Sequence, residues 1–457
     1  MKDLLTFWTT LLLLSSVIAN GQTQTEQALS STKVITGATI INGTGRPVKD
    51  AVILIEGTRI THVGTRSSTK IPRGAERIDA RGKYVIPGLA DMHNHLDDGT
   101  FNPRPDQSDY QRNLKVMLGW GFTSIFAPGL SDLKTFTELK RLAADDRVSY
   151  PHFFAVARQF GAKGGHGSFQ GGYTPDTPGE ARLAVRELKA TGVDAVKLVY
   201  SDLTYVSKQP WPMLKAEVMA AIIDEAHKNG LKAYVHAPLL KYAKEVLRSG
   251  ADGLVHGILS DPVDEEFISL MKKNNAVYIP TQAIFESVAD LGGWAARAVT
   301  LDEQGLIPKE VYDVGLNPAT AKQWEEKWNN LNYMRERLPH LRSNTKKVWD
   351  AGILVVAGSD TGNSGSGVLL GLASRLELLL MVEAGLKPQQ VIQAATINAA
   401  RMTGRDKEMG SIAAGKLADL LILDANPLAD IRNVRRIHRI VKGGMIYDPA
   451  ELLATTK

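Results

Sequence analysis

VIPGLADMHNHL, residues 85–96, runs from an apolar stretch through Pro87-Gly88 into Asp91 and then sets His93 and His95 one residue apart. On a strand of period two both imidazoles point the same way. Two histidines on one face suggest a metal ion, although an H-x-H pair alone is also compatible with two hydrogen-bonded histidines near a strand end. Four later apolar segments favour the metal, because each closes on one more candidate ligand: Lys197 in VDAVKLVY, His236 in LKAYVHA, His256 in GLVHG and Asp360 in ILVVAGSD.

Those segments belong to a longer alternation. Helical patterns at Tyr110 to Trp120, Leu133 to Ala144, Pro178 to Ala190, Leu214 to Asn229, Leu239 to Gly250 and Asp264 to Asn274 separate short apolar strands. The strands read GLADMHNH, TSIFAPG, HFFAVARQF, VDAVKLVY, LKAYVHA, GLVHG, AVYIPT and ILVVAGSD. Several helices end in Gly just before the next strand (Gly192, Gly230, Gly250, Gly352), as short connections require. Eight β-α repeats in a row predict a (β/α)8 TIM barrel of class α/β over residues 86–404. Its main irregularity is an excursion from Gln282 to Asp350 between strands seven and eight, expected to sit over the barrel mouth. At both ends the pattern changes: Val34 to Gly64 is rich in Val, Ile and Thr and broken by N-G, G-T-G-R-P and E-G turns, and Gly410 to Tyr447 is a second such set. These predict a small β-sandwich composed of residues 33–85 and 405–450.

The composition is that of a globular enzyme, with 457 residues, 44% apolar and 23% charged. The net charge of +5 is scattered, and the one dense basic run, RNVRRIHRIVK from Arg432 to Lys442, alternates with apolar residues as a half-exposed strand does. A nucleic-acid footprint needs a clustered basic face, so no nucleic-acid partner is expected. Residues 1–21 read as a signal peptide, with Lys2, an apolar stretch to Ile18 and small residues at Ala19 and Gly21. This predicts a periplasmic or secreted protein. The apolar stretch is shorter than the roughly 20 residues of a membrane span, and no stable membrane insertion is expected. The chain has no cysteine, so any metal must be held by N and O donors. Asn42-Gly43-Thr44 fits a glycosylation sequon and fits a tight turn better.

In a barrel of this kind the reactive side chains sit at the C-terminal ends of the strands, where sequence position becomes shared space. Each candidate alone has a plain alternative: a strand-end histidine is often a satisfied polar residue, and an Asp before Thr-Gly is often a helix cap. Six on one rim are hard to explain that way. Lys197 is the most informative, because burial in an apolar strand lowers an ammonium pKa and a neighbouring divalent cation repels the charged form. The neutral amine reacts with carbon dioxide to give a carbamate, whose two oxygens can bridge two metals. Lys197 therefore reads as carboxylated, the alternative being a lysine that snorkels to the rim.

The motifs PGLADMHNH, VKLVYSD, YVHA, LVHG and AGSDTG, with DAVILIEGTRI and GKLADLLILD at the two ends, resemble the amidohydrolase superfamily, in its binuclear group with a carboxylated lysine on strand four. The resemblance covers nearly the whole chain beyond residue 21. Within the superfamily it looks closest to the imidazolonepropionase-related and Xaa-Pro-dipeptidase-like branch, which commonly carries a Gly-Gly-His-Gly loop after strand three, here GAKGGHGSFQGG from Gly161 to Gly172. Lys163 stands where that branch usually has a hydroxyl residue. Imidazolonepropionase itself is mononuclear and lacks the strand-four lysine, so Lys197 argues against that activity.

The resemblance implies two divalent ions, zinc first among them with manganese or cobalt also fitting. His93, His95 and Asp360 would bind one, His236 and His256 the other, with the Lys197 carbamate and a hydroxide between them. Asp360 would take the proton of the attacking hydroxide and pass it to the departing amine. His166 and Tyr200 would hydrogen-bond the substrate carbonyl or a carboxylate. Arg297, Arg335, Arg337 and Arg342 are candidate carboxylate clamps, equally explained by an exposed helical face. The expected reaction is cleavage of the carbon-nitrogen bond of a dipeptide or N-acyl amino acid. A lactone, carboxylic ester or organophosphate is the alternative on the same site, and a non-catalytic metal- or solute-binding protein the alternative of another class. The expected partner is a small molecule, and homo-oligomerisation is left open.

Overall fold

The computed structural model describes residues 32–97, 99–101, 109–129, 133–168, 171–302, 305–363 and 365–456. The expected signal peptide lies outside the described residues. Among these residues no helix is long and apolar enough to cross a membrane.

The chain enters through β1 (Lys33–Ile40), β2 (Val48–Glu56), β3 (Arg59–Thr65), β4 (Glu76–Asp79) and β5 (Tyr84–Pro87). It then lays down eight short strands: β6 (Leu89–Asp91), β7 (Phe122–Ala127), β8 (His152–Ala155), β9 (Ala195–Val199), β10 (Lys232–His236), β11 (Gly253–Val255), β12 (Val277–Ile279) and β13 (Leu354–Val355). All pair in parallel, as sheets of three (β6–β8) and five (β9–β13) strands. Single bridges join the sheets at both seams, Phe160 to Leu198 and Thr361 to Asn94. Amide hydrogen bonds from Phe160 to the Lys197 carbonyl (2.9 Å) and from Asp360 to the His93 carbonyl (2.8 Å) carry the ring across. This is the (β/α)8 barrel the sequence predicts. Strands such as FTSIFA and AVKLV are buried on both faces, as parallel strands wrapped by helices must be.

Helices α1 (Tyr110–Gly119), α2 (Leu133–Leu142), α3 (Pro178–Ala190), α4 (Ala216–Lys228), α5 (Leu240–Arg248) and α6 (Glu265–Lys273) fall within two residues of their expected bounds. Thr177 caps α3 by accepting from the Glu180 amide, with Pro178 at the first helical position. Gly192, Gly230, Gly250 and Gly352 follow their helices at φ between +69° and +96°, the left-handed turn that glycine adopts without a Cβ penalty.

β14 (Leu420–Leu423), β15 (Ile437–Lys442) and β16 (Met445–Tyr447) return the C-terminal part of the chain to the N-terminal strands. The expected sandwich takes the form of one hydrogen-bonded eight-stranded sheet, in the order β16-β15-β14-β5-β1-β2-β3 with β4 on β1. It closes on a core of its own that includes Ile35, Ile53, Ile60, Val85, Leu420 and Ile422.

A buried ionic cluster ties this sheet to the barrel. Asp419, just before β14, accepts from His152 Nε2 of β8 at 2.6 Å and from the Gly443 amide at 2.8 Å, with Lys442 Nζ at 3.8 Å. Burial pushes the Asp419 carboxyl up, but Lys442, His152 and the Gly443 amide outweigh it and hold the group well below the usual carboxylate range. Asp419→Ala strands Lys442, which is 1% exposed, without its counter-charge. The expected loss is about 3–5 kcal/mol of stability, read as a lower denaturant midpoint. Because the folded pKa lies below the unfolded one, the contribution is complete above about pH 4 and is lost as the pH falls further.

Between β12 and β13 the excursion forms five helices among the described residues: α7 (Gln282–Ala289), α8 (Leu291–Leu301), α9 (Lys309–Leu316), α10 (Pro318–Lys327) and α11 (Leu331–Asp350). Glu286 of α7 binds Arg297 of α8 at 3.0 Å and also Arg342 of α11, and Trp324 Nε1 of α10 donates to the Val288 carbonyl at 2.9 Å. α12 (Leu372–Glu383) follows β13 and carries Ser374 and Glu377 against the barrel.

Candidate metal centre

The six candidate ligands converge because each sits at or beside the C-terminal end of a barrel strand. His93 and His95 follow β6, Lys197 lies in β9, His236 ends β10, His256 follows β11 and Asp360 lies beyond β13. Five imidazoles form a contiguous row. Ring centroids are 5.4 Å apart from His95 to His93, 4.8 Å to His256, 4.3 Å to His236 and 4.6 Å from there to His166. His93, His95 and Asp360 each offer a donor atom, and these atoms lie within 4.8 Å of one another.

His93, His166, His236, His256 and Asp360 are held in protonation states that suit metal binding. Burial pushes His93 and His166 down to about 4 and His236 and His256 well below the ordinary histidine value, so the rings are neutral near pH 7. Burial would raise Asp360, but the neighbouring His93 and His95 hold it well below the usual range, as a carboxylate. Lys197, 2% exposed, is pushed down to about 8 by burial against the opposing pull of Asp360. Among the described residues it has no ion-pair partner.

Orphaned atoms supply the test of fit. His93 Nε2 and His95 Nε2 lie 3.2 and 3.0 Å from Asp360 Oδ1. Even so, His93 Nδ1, His93 Nε2 and Asp360 Oδ1 are buried without a well-formed hydrogen bond. An unsatisfied buried polar group costs about 1–3 kcal/mol. A divalent cation shared among neutral imidazole and carboxylate donors removes that cost, so the residues fit the metal that the sequence implies.

The surrounding contacts fix the donors. Asp91 spans the β6 and β13 ends: it accepts from the His93 amide (3.2 Å), the Ser359 amide (3.1 Å) and the hydroxyls of Ser359 and Ser374 (2.6 Å each). Thr281 Oγ1 lies 2.8 Å from His256 Nδ1, leaving Nε2 as the free donor. Glu377 accepts from the Ala283 amide at 2.8 Å and anchors the start of α7 beside that threonine. His256, Thr281 and Asp360 have φ of 123°, 45° and 60°, sparsely populated conformations that cost about 1–3 kcal/mol each and persist where packing over-determines them.

A cavity of about 460 Å³ opens above the donors. All six candidate ligands line it, together with His166 and Gly167 of the glycine-rich loop. The excursion forms much of the opposite wall, with Ile284, Phe285, Val288, Trp324, Trp328 and Met334.

Tyr200 is a correction. Its hydroxyl donates to Glu245 Oε2 of α5 at 2.8 Å, and the residue does not line the cavity. The strand alternation that turns Lys197 and Val199 inward turns Tyr200 outward onto the helix layer. The tyrosine at the site is Tyr205, whose hydroxyl lies 3.2 Å from His236 Nε2. The four candidate arginines are also elsewhere: Arg297 and Arg342 bind Glu286, Arg335 binds Glu325, and Arg337 packs on Tyr333 and pairs with Glu336. Sequence reading missed Tyr205 and Thr281, which lie in irregular backbone where no periodicity gives a facing. It also missed the anchoring role of Asp91, which sits in the opening motif at even spacing from both histidines.

The model of the amidohydrolase family matches residues 84–446. The chain belongs to the amidohydrolase family. It is a hydrolase acting on carbon-nitrogen bonds, in a family that typically uses metal ions. An imidazolonepropionase from Shouchella clausii is 24% identical over 436 residues, covering 86% of this amidohydrolase and 84% of the relative. A putative prolidase from Bifidobacterium longum is similar in structure at 26% identity with a TM-score of 0.73, covering 94% of this chain and 99% of that one. A Xaa-Pro dipeptidase with bound methionine in its active site shares the fold at 23% identity and a TM-score of 0.72, covering 92% and 100%.

Proposed function

We propose that this amidohydrolase is a binuclear enzyme that cleaves the amide bond of a dipeptide or N-acyl amino acid. The observation that carries the reading is the buried Lys197, which has no ion-pair partner among the described residues and lines one cavity with five histidines and Asp360. In this reading His93, His95 and Asp360 would hold one ion and His236 and His256 the other, with Lys197 carboxylated to serve as a further oxygen ligand, and zinc would suit the N and O donors. Bound there, the ions supply a nucleophile at neutral pH by acidifying water and polarise the scissile carbonyl. Asp360 accepts the proton of the attacking water and delivers it to the leaving nitrogen. His166 and Tyr205, both on the cavity wall, serve as hydrogen-bonding groups for the substrate.

The same proposal takes residues 33–85 with 405–450 as one domain, 86–404 as the other, and residues 1–21 as an export signal.

The test is amine release from a library of dipeptides and N-acyl amino acids, with divalent metal and bicarbonate supplied, beside lactone, ester and organophosphate controls. Turnover confined to amides is the expected result. Turnover of a control with silence on every amide moves the substrate to an oxygen leaving group on the same site.

A further inference from the structure

The cavity wall is apolar and aromatic on the side of the excursion, with one interruption. Lys327, the last residue of α10, lines the cavity between Trp324 and Trp328. Its Nζ lies 5.4 Å from the Trp324 ring centroid and 4.9 Å from that of Trp328. The spacing i, i+3, i+4 puts the three side chains on one helix face. Lys327 is exposed and, among the described residues, has no carboxylate and no hydrogen-bond partner. Trp328 shows a second, independent deficit, because its Nε1 is buried without a partner while its ring lines the same wall. Two adjacent residues with unused donors line a cavity whose only carboxylate among the described residues is Asp360, committed to the histidines.

We infer that Lys327 Nζ and the Trp328 indole N–H form an anion subsite that receives the carboxylate of the substrate, with Trp324 and Trp211 bounding the apolar group beside it. The inference rests on the amide-hydrolase reading of this cavity and narrows it. Substrates carry a free carboxylate on the amine product and an apolar or aromatic body. The subsite does by a lysine–indole pair what the four arginines, all engaged elsewhere, do not. A cation seated against two indoles is partly desolvated, which strengthens its pairing with an incoming carboxylate. Burial against them also lowers the ammonium pKa.

The experiment compares two probes that differ only at the carboxylate, N-benzoyl-phenylalanine and its primary carboxamide, in metal-loaded enzyme. For Lys327→Met we expect kcat/KM on the acid to fall about tenfold or more, carried by KM, with the carboxamide unchanged. Lys327→Arg is expected to restore most of the loss. Trp328→Phe keeps the ring, removes the N–H, and is expected to weaken the acid alone by a smaller factor. If wild type hydrolyses both probes and Lys327→Met changes neither, or lowers both equally, the anion subsite is wrong and amide hydrolysis stands. If loaded wild type hydrolyses neither this pair nor any amide of the library, the reading beneath the inference fails, and that is visible without any variant.

Discussion

Lys197→Ala is expected to abolish turnover and to lower bound metal from two ions per chain. Lys197 lines the same cavity as the other five candidate ligands, and as an ammonium it would contribute nothing to metal binding. As a carbamate it supplies negative charge and two oxygens, and losing such a contribution removes several kcal/mol of transition-state stabilisation, on the order of 10³-fold in rate. Alanine leaves space in an otherwise buried strand, so acetate is expected to restore a fraction of both metal and rate. Metal analysis and turnover on the same preparations read the outcome, and intact mass under native conditions shows whether wild type carries one added carbon dioxide. Lys197→Met fills the space without a carboxylate and guards against misfolding as the explanation. It is expected to fold, to bind metal poorly and to resist acetate rescue. Two ions and full rate in Lys197→Ala would sink the carbamate model. Two ions with a low rate that acetate leaves unchanged would reduce the lysine to an electrostatic neighbour.

What could be read in the sequence follows the physics of each element. The strands were legible because buried parallel strands are continuous apolar runs, and the helix ends because glycine is needed after the last turn. The convergence of the candidate ligands on one cavity was legible because strand period two gives a strand residue its facing and the barrel gives the strands a common end. The same period would have excluded Tyr200, three residues beyond the inward Lys197 and so of opposite facing. Tyr205 lies in irregular chain, where only tertiary packing orients a side chain. The excursion was visible as a gap between strands, but not its role. Trp324, Lys327 and Trp328 share a helix face by their spacing, and a helix face alone does not say whether it meets a core, solvent or a cavity. The arginines failed as clamps for a reason sequence does not carry: Glu286 and Glu325 neutralise Arg297, Arg342 and Arg335 across helices that only the fold brings together.

Asp360→Asn is expected to separate holding a metal from moving a proton. Asp360 sits at φ 60°, a conformation that asparagine tolerates better than most residues, so the substitution leaves the backbone in place. The amide keeps one oxygen lone-pair donor at nearly the same position and loses the negative charge and the capacity to take a proton at neutral pH. Metal occupancy is therefore expected to fall modestly, because the four histidines and Lys197 remain. The rate should fall by on the order of 10²- to 10⁴-fold, the usual worth of a positioned general base and acid. The loss should appear in kcat with KM little changed, since the proton transfer belongs to the transition state and not to binding. A substrate with a better leaving group should lose less, because the second transfer, to the departing nitrogen, matters less as that nitrogen becomes less basic. Loss of metal in parallel with loss of rate would make Asp360 a ligand and nothing more. Full occupancy with a rate within a few-fold of wild type would place the proton shuttle elsewhere, and His166, the remaining neutral imidazole on the wall with an unpartnered nitrogen, is the residue to test next.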